Sequence, residues 1–331
     1  MLLIEEVDYL EDVYDITVED NNNFFGNDIL VHNCTEITLF SDDEHTYTCV
    51  LSSLNLAKYD EWKDTDTIFV SSVFLDCVAS EFISIGKKIK GLEKAVRFTE
   101  KSRALGLGVM GFHTYLQLNM IPFESIEAHF KNAEIFKKIK EESEKATRWM
   151  AEAFGEPEWC RGYNRRNSHL LAVAPTLSTA GIMGGVSQGI EPVYKNVYVQ
   201  GSAAGEMNRI NPVFLELLKE KGIYDDKHIN EVINHNGSVQ DVEWLNEEEK
   251  KVFKTAFEID QKVIIRLASV RQQFIDQAQS INLFFSSDES EEYISEVHQM
   301  AFNDPLIKSL YYIRSESGVQ ASKGECESCA G

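Results

Sequence analysis

Positive charge is what this chain has least of: 32 Lys and Arg stand against 54 Asp and Glu, a net charge of −22 over 331 residues. A surface of that sign is repelled by nucleic acid and by anionic membranes, both of which attract basic patches. It leaves room for a few local basic residues to hold a phosphorylated small molecule. Long apolar runs are also missing. No unbroken stretch of roughly eighteen apolar residues occurs, so no membrane span is predicted. The first residues, Met-Leu-Leu-Ile-Glu-Glu, are acidic rather than basic, which excludes a secretory signal. Cysteine is sparse: Cys34, Cys49, Cys77, Cys160, Cys326 and Cys329 show no framework spacing. Such thiols stay reduced in a cytoplasmic protein unless they are catalytic, and cytoplasmic is the location predicted. Cys77, in the apolar run Ile68-Phe-Val-Ser-Ser-Val-Phe-Leu-Asp-Cys-Val, reads as core, and Cys160 beside Trp159 reads as structural. What the chain does have is 43% hydrophobic residues, enough for a sizeable core, and a length that suggests about two domains.

The stretch that organises the rest runs from Val13 to Cys34. Two apolar runs, 13–18 and 29–31, flank a polar turn rich in Asn and Gly and read as paired strands. The second ends in His32, Asn33 and Cys34. An Asn side-chain amide can attack its own backbone carbonyl, form a succinimide and cut the chain after itself. A neighbouring His can move the protons, and a Cys beyond the cut can hold an acyl group as a thioester. Taken alone, His-Asn-Cys also reads as the polar end of a hairpin. With Phe-Phe-Gly-Asn before it, the stretch resembles the C-terminal splicing motifs of inteins, with Asn22 where many inteins carry a second assisting His. That resemblance implies that residues 1–33 are the C-terminal piece of a split intein, too short to bury a core alone. A partner fragment would carry the N-terminal intein piece, and splicing would use His32, Asn33 and Cys34.

After this junction, 35–40 and 46–53 read as strands around the polar turn 41–44. Alternation puts Cys34 and Glu36 on one face, with Cys49 within reach across the turn. Two cysteines and a carboxylate there suit core packing plus a surface acid, or a redox and acid/base site. Residues 68–100 read as helical. The run Ser102-Arg-Ala-Leu-Gly-Leu-Gly-Val-Met-Gly111 lacks a clear acidic ribose ligand downstream, so it reads as close-packed backbone rather than a dinucleotide loop. Residues 124–154 read as a long amphipathic helix. The strand-like run 169–174 leads into Pro175, Thr176, Leu177, Ser178 and Thr179 and a small-residue helix start. Free N–H groups and hydroxyls there suit an anion, or equally a simple N-cap. Residues 206–235 and 245–270 read as mixed helical and acidic, 279–284 as strand and 286–302 as helix. A strand over 306–313 carries Tyr311 and Tyr312, a pairing that is ordinarily packing. The polar tail 314–331 reads as mobile. Its Cys326-Glu-Ser-Cys329 can be half a metal site, but with no second pair or His cluster a dithiol that carries electrons is the better reading, and no metal is predicted.

Five motifs occur in one order: Thr48-Cys-Val-Leu-Ser-Ser-Leu-Asn-Leu56, Pro175-Thr-Leu-Ser-Thr179, Gly189-Ile-Glu-Pro192, Leu310-Tyr-Tyr312 and the terminal Cys pair. Together they resemble the C-terminal half of the large (alpha) subunit of aerobic, class I ribonucleotide reductase, over nearly all of 34–331. The resemblance implies an α/β fold, the second half of that family's ten-stranded α/β barrel, over 34–313. A small β-rich intein segment would precede it at 1–33, and a flexible redox-active tail would follow at 314–331. The implied activity is reduction of ribonucleoside diphosphates to deoxyribonucleotides by thiyl-radical chemistry, after trans-splicing to the N-terminal half.

Residue roles follow from the same resemblance. Cys34 matches the thiyl-radical cysteine, Glu36 the carboxylate that takes the 3′-hydroxyl proton, and Cys49 one member of the dithiol that reduces the 2′ position. Tyr311 and Tyr312 match the relay that brings the radical from the other subunit. Strict alternation would point adjacent tyrosines apart, whereas the family stacks them, so the strand is expected to end there. Pro175, Thr176, Leu177, Ser178 and Thr179 match the loop that binds substrate phosphates. Cys326 and Cys329 match the tail dithiol that re-reduces the site, although family members often space that pair more widely. Asn33 adjoins Cys34 and is not the family's active-site Asn, which lies two residues before the radical cysteine and must arrive on the partner fragment. No cofactor is expected on this chain: a metal-containing, diiron-tyrosyl small subunit supplies the radical, and thioredoxin or glutaredoxin the electrons. Two other classes compete: a non-catalytic subunit that associates without ligation, and an unrelated thiol-disulfide oxidoreductase using Cys326 and Cys329.

Overall fold

Two runs nearly free of polar side chains, 104–110 and 170–174, lie side by side in a parallel sheet, where both faces are covered and alternation is not needed. The computed structural model describes residues 23–26, 29–32, 35–202 and 205–315. Its contacts divide the chain into Met1–Cys34 and Thr35–Gly331. In the first unit β1 (Asn23–Gly26) pairs antiparallel with β2 (Ile29–His32), Asn23 opposite His32 and Gly26 opposite Ile29. The second strand falls where the sequence placed it. The stretch read as a polar turn, however, holds β1, because Phe24 and Phe25 favour a strand more than their Asn neighbours oppose it. Residues 13–18, Asn33 and Cys34 lie outside the described residues.

In the second unit β3 (Val50–Asn55) is followed by α1 (Tyr59–Trp62), α2 (Thr67–Gly86) and α3 (Glu93–Ser102) before β4 (Leu105–Met110) returns parallel to it. Next, α4 (Phe112–Leu118) and α5 (Ile126–Phe154) lead to an extended segment. Its Leu171 bridges to Leu107 and its Val173 to Gln279, both in parallel. After α6 (Leu177–Ile182) the chain leaves the sheet for a hairpin of β5 (Val197–Ser202) and β6 (Gly205–Ile210). Helices α7 (Pro212–Glu220), α8 (Asp226–Asn234) and α9 (Glu247–Val252) complete that excursion. Then α10 (Gln261–Gln272) returns to the segment ending in β7 (Leu283–Phe285), and α11 (Glu291–Asn303) crosses to β8 (Ile313–Ser315), parallel to β7. Extended segments thus follow one another in parallel with helices on the connections, the layout of α/β folds. Among the described residues β3 lies at the edge, with β4 on one side and no strand on the other.

The sheet residues Leu105, Leu107, Leu171 and Ile281 share one core with Ile135 and Ile139 of α5 and Ile265 of α10. A second core around Phe214, Val232 and Phe253 belongs to the excursion. The Gly-rich run owes its composition to close approach. A Cβ on Gly108 would lie 2.3 Å from the Ala172 carbonyl oxygen, and one on Gly106 2.4 Å from Leu51 Cδ2 and 2.9 Å from Cys49 Sγ. Gly108→Ala is therefore expected to destabilise the chain by about 2–3 kcal/mol, because backbone cannot step aside as a flexible side chain can. An unchanged urea midpoint would contradict this.

α2 is long and apolar enough to cross a membrane by length and composition, although Asp76 and Glu81 break its apolar run. Asp76 is buried at its middle, accepting from Arg103 Nε at 2.6 Å and Nη2 at 2.8 Å and from Arg166 Nε at 3.0 Å. A carboxylate so paired belongs inside protein, since lipid would offer it no arginine. The pairing also sets the rotation of α2: Ser72, Leu75, Asp76 and Ala79 face inward and Cys77 is exposed, which corrects its reading as core. Cys160 is buried.

Other readings change as well. Residues 35–40 form no strand: the Glu36 carbonyl accepts from Ala278 N–H, and Thr38 N–H lies 3.4 Å from Gln277 Oε1. The segment leans on 277–278 instead of pairing with 46–53, and the regular strand starts only at Val50. Residues 206–210 are strand, in β6. The last helix begins at Glu291, where Ser290 accepts from the Tyr293 N–H. Arg314 and Ser315, assigned to the tail, are in β8; 316–331, with Cys326 and Cys329, lie outside the described residues.

Candidate active site

Uncharged polar side chains are the anomaly of 276–282: Gln277, Gln279, Ser280 and Asn282 are all buried in the sheet. Each needs a partner there. Alternation sends Gln279 towards α10, where it accepts from Arg271 Nε at 2.5 Å, and puts Ser280 and Asn282 on the other face. Ser280 Oγ donates to Glu36 Oε2 at 2.7 Å, while Ala278 N–H holds the Glu36 carbonyl at 2.9 Å. Burial pushes the Glu36 carboxyl up, and the Ser280 hydrogen bond pulls the other way.

Gln277 Nε2 donates to the Leu105 carbonyl at 2.8 Å and to Cys49 Sγ at 3.1 Å. Burial pushes the Cys49 thiol up to about 12; the Gln277 contact opposes this, and the charges of Asp276 and Glu36 add to it. Cys49 is thus a neutral thiol at physiological pH, seated in the space that Gly106 leaves. It precedes β3 rather than lying on it. Below it, Lys308 Nζ donates to the Gln277 carbonyl at 2.7 Å and Ser309 Oγ to the Thr35 carbonyl at 2.9 Å, tying the approach to the tyrosines to the approach to Glu36.

At the tyrosines the sheet ladder is irregular. Tyr311 N–H donates to the Ile281 carbonyl at 2.8 Å, and Leu283 N–H to the Tyr312 carbonyl at 2.9 Å. In a regular parallel ladder one residue would make both bonds; here two stand opposite Asn282, which is a β-bulge. The extra residue breaks alternation, and the rings lie together, centroids 4.1 Å apart. The regular strand therefore starts just after the pair, at Ile313, instead of ending there, and 306–312 form no strand. The N–H that the bulge displaces, on Tyr312, donates to Asn282 Oδ1 at 2.9 Å. Asn282 Nδ2 in turn donates to Glu191 Oε1 at 2.8 Å. Glu191 is buried, and its carboxyl is pushed up to about 7 by that burial, against the pull of Asn282 and Arg314. The Arg314 guanidinium lies 5.4 Å from the centroid of the Tyr312 ring.

Pro175 follows the segment that pairs with β4, at its C-terminal end. Thr176 takes a left-handed backbone conformation, φ 57°, and its Oγ1 accepts from Gly189 N–H at 2.8 Å. No side chain caps α6, so of the two readings of this turn the N-cap is not found. Leu177, Ser178 and Thr179 are exposed.

One extended segment, 277–282, thus ties Glu36, Cys49 and the tyrosine pair together. Cys34, Asn33, Cys326 and Cys329 lie outside the described residues, and of His32 only the strand position is described. The sequence reading missed Gln277, Ser280, Asn282 and Glu191. Its available signal was a row of amide and hydroxyl side chains inside a strand-like segment. Among the described residues no group of three or more His, Cys, Asp or Glu is placed to hold a metal ion.

Comparison with known proteins assigns the class. The pattern of the ribonucleotide reductase barrel domain matches residues 13–165 and 158–313, and the chain belongs to that family. It is 39% identical to the ribonucleoside-diphosphate reductase large subunit of Invertebrate iridescent virus 6, over 98% of this chain and 34% of that protein. It is 38% identical to the corresponding protein of Invertebrate iridescent virus 3, over 88% and 46%. Among solved structures, the Actinobacillus ureae class Id ribonucleotide reductase alpha subunit superposes with a TM-score of 0.79 at 42% identity, covering 86% of this chain and 52% of that one. The chain therefore spans between a third and about half of these relatives. Because residues 34–331 make up only nine-tenths of the chain, the first alignment also takes in most of residues 1–33.

Proposed function

We propose that residues 34–331 are the C-terminal part of a class I ribonucleotide reductase large subunit, and that residues 1–33 are a C-terminal split-intein piece removed when the chain is joined to its N-terminal part. The observation that carries the first half is the buried segment 277–282, which holds the thiol of Cys49, the carboxyl of Glu36 and the backbone of Tyr312 through three neighbouring side chains. For the second half, the support is the His32-Asn33-Cys34 ending and the counterparts that an iridescent-virus reductase has for most of this leader.

In this reading Cys34, as a thiyl radical, takes the ribose 3′-hydrogen while Glu36 takes the 3′-hydroxyl proton. The 2′-hydroxyl leaves as water. Cys49 and a second thiol on the joined N-terminal part give two electrons and two protons and form a disulfide, after which Cys34 returns its hydrogen and is a radical again. A thiol held neutral suits hydrogen donation better than nucleophilic attack. Residues 175–179 hold the substrate phosphates, and the names of the relatives favour a ribonucleoside diphosphate. Tyr311 and Tyr312 relay the oxidising equivalent from a small subunit that carries the metal. Cys326 and Cys329 pass electrons from thioredoxin or glutaredoxin to the active-site disulfide. The enzyme is cytoplasmic in this reading, with no nucleic-acid or membrane partner.

The reading is tested by producing the chain with its N-terminal part and weighing the product. Loss of residues 1–33 together with deoxynucleotide formation on adding the small subunit supports it. Association without ligation would instead indicate a non-splicing subunit. Within the joined enzyme, Cys326→Ser is expected to complete one reducing round and then stall with thioredoxin, and to resume with a small dithiol that enters the site directly. Sustained turnover with thioredoxin would remove the tail from the mechanism.

A further inference from the structure

The bulge under the tyrosine pair needs an explanation that the radical relay does not itself supply. A bulge leaves an N–H without a ladder partner, and a buried one left unpaired would be expensive enough to restore the regular ladder. Here the Tyr312 N–H finds Asn282 Oδ1 at 2.9 Å. An Asn amide can present either its oxygen or its NH2 group, so something must choose. The Asn282 NH2 group is engaged by Glu191 Oε1 at 2.8 Å, a carboxylate that has no part in the mechanism above. Glu191 in turn is placed by the turn 188–191, whose Glu191 N–H donates to the Gln188 carbonyl at 2.8 Å. In the regular register the two rings would point to opposite faces of the strand.

We infer that Glu191 is a positioning residue for the tyrosine pair: by accepting from Asn282 it turns the Asn282 oxygen onto the Tyr312 N–H, fixes the bulge and keeps the two rings in contact. The inference rests on the reading of Tyr311 and Tyr312 as the radical relay for its functional meaning, but not for its structural content. Its chemistry is specific, because the acceptor oxygen is what matters. Glu191→Gln keeps an acceptor for the Asn282 NH2 group, whereas Glu191→Leu removes it at similar size. Asn282→Ala removes the acceptor for the Tyr312 N–H itself.

The test places 3-fluorotyrosine at position 312 of the full chain and reads its fluorine resonance. It then measures, with the N-terminal part and small subunit present, the radical trapped on 3-aminotyrosine at the same position. In Glu191→Leu and Asn282→Ala the fluorine line should shift away from its wild-type position, and trapped radical should fall about tenfold, the population change expected from losing one buried hydrogen bond. Glu191→Gln should keep both readouts near wild type, which a general loss of packing would not explain. If Glu191→Leu fails to fold, the contrast between Glu191→Gln and Asn282→Ala still decides. An unmoved line in Asn282→Ala, or a Glu191→Gln protein that resembles it, overturns the inference. If the line moves as expected but the wild-type enzyme traps no radical, the positioning role stands and the radical relay falls.

Discussion

Tyr311→Phe in the joined enzyme, with its radical-generating subunit, is expected to give no deoxynucleotide at all while the fold and substrate binding survive. The side chain is half-buried and its ring lies against that of Tyr312, centroids 4.1 Å apart and planes inclined by 51°, so loss of one hydroxyl is a small change in packing. A substitution that keeps the ring and removes one hydroxyl typically costs about 1 kcal/mol, too little to unfold the chain. The chemical effect has no such limit. A phenol yields an electron and a proton together at a potential that another phenol or a thiol can match, whereas a phenyl ring has no proton to give. Every turnover must bring an oxidising equivalent to Cys34, so blocking the relay blocks the first event. Product assays with labelled substrate, alongside a thermal melt and a binding titration, separate the two effects. Multiple turnovers by this variant would remove the tyrosine pair from the mechanism. The contrast with Cys326→Ser, which acts only between turnovers, makes the pair of variants more telling than either alone.

Asn33→Ala should abolish release of residues 1–33 when the chain meets its N-terminal part, because the amide that closes the succinimide is gone. Cys34→Ala should stop the process one step earlier, at acyl transfer, since no thiol is left to receive the chain. Mass analysis distinguishes the outcomes: unspliced association for Asn33→Ala with a trapped branched species, and no branched species for Cys34→Ala. The wild type should lose the leader entirely. Ligation at wild-type yield in Asn33→Ala would show that the His32-Asn33-Cys34 ending is only the polar end of a hairpin. Because Cys34 serves first as acyl acceptor and later as radical carrier in this reading, Cys34→Ala should also be inactive if the joined chain is obtained by other means.

Local features of the chain were readable where local physics decides them. The helix over α5 follows from its apolar spacing and from Ser125, which accepts from Ala128 N–H at its start. The close-packed run 105–110 follows from its glycines and its unbroken apolar character. What could not be read depends on contacts distant in sequence. Gln277 meets Cys49 across 228 residues and Ser280 meets Glu36 across 244, so neither end announces the other. Cys77 was misplaced because nearly every position around it is apolar, and the inward face is selected by contacts distant in sequence, the ion pairs of Asp76 with Arg103 and Arg166 among them. The bulge is invisible from one strand alone, since it is a mismatch of count between two. Strict alternation therefore predicts the wrong geometry for Tyr311 and Tyr312.

The lone position of β3 at the sheet border has a bearing on how this protein must be handled. Val50–Asn55 presents peptide groups on one side to β4 and, among the described residues, to no strand on the other. Leu51 within it is exposed. A bare border of this kind recruits whatever extended chain is at hand, including another copy of itself, and is a familiar seed of insoluble aggregates. Chain made without a complement to cover that border should be lost to inclusion bodies on warming, and co-production would then rescue yield before it affects activity.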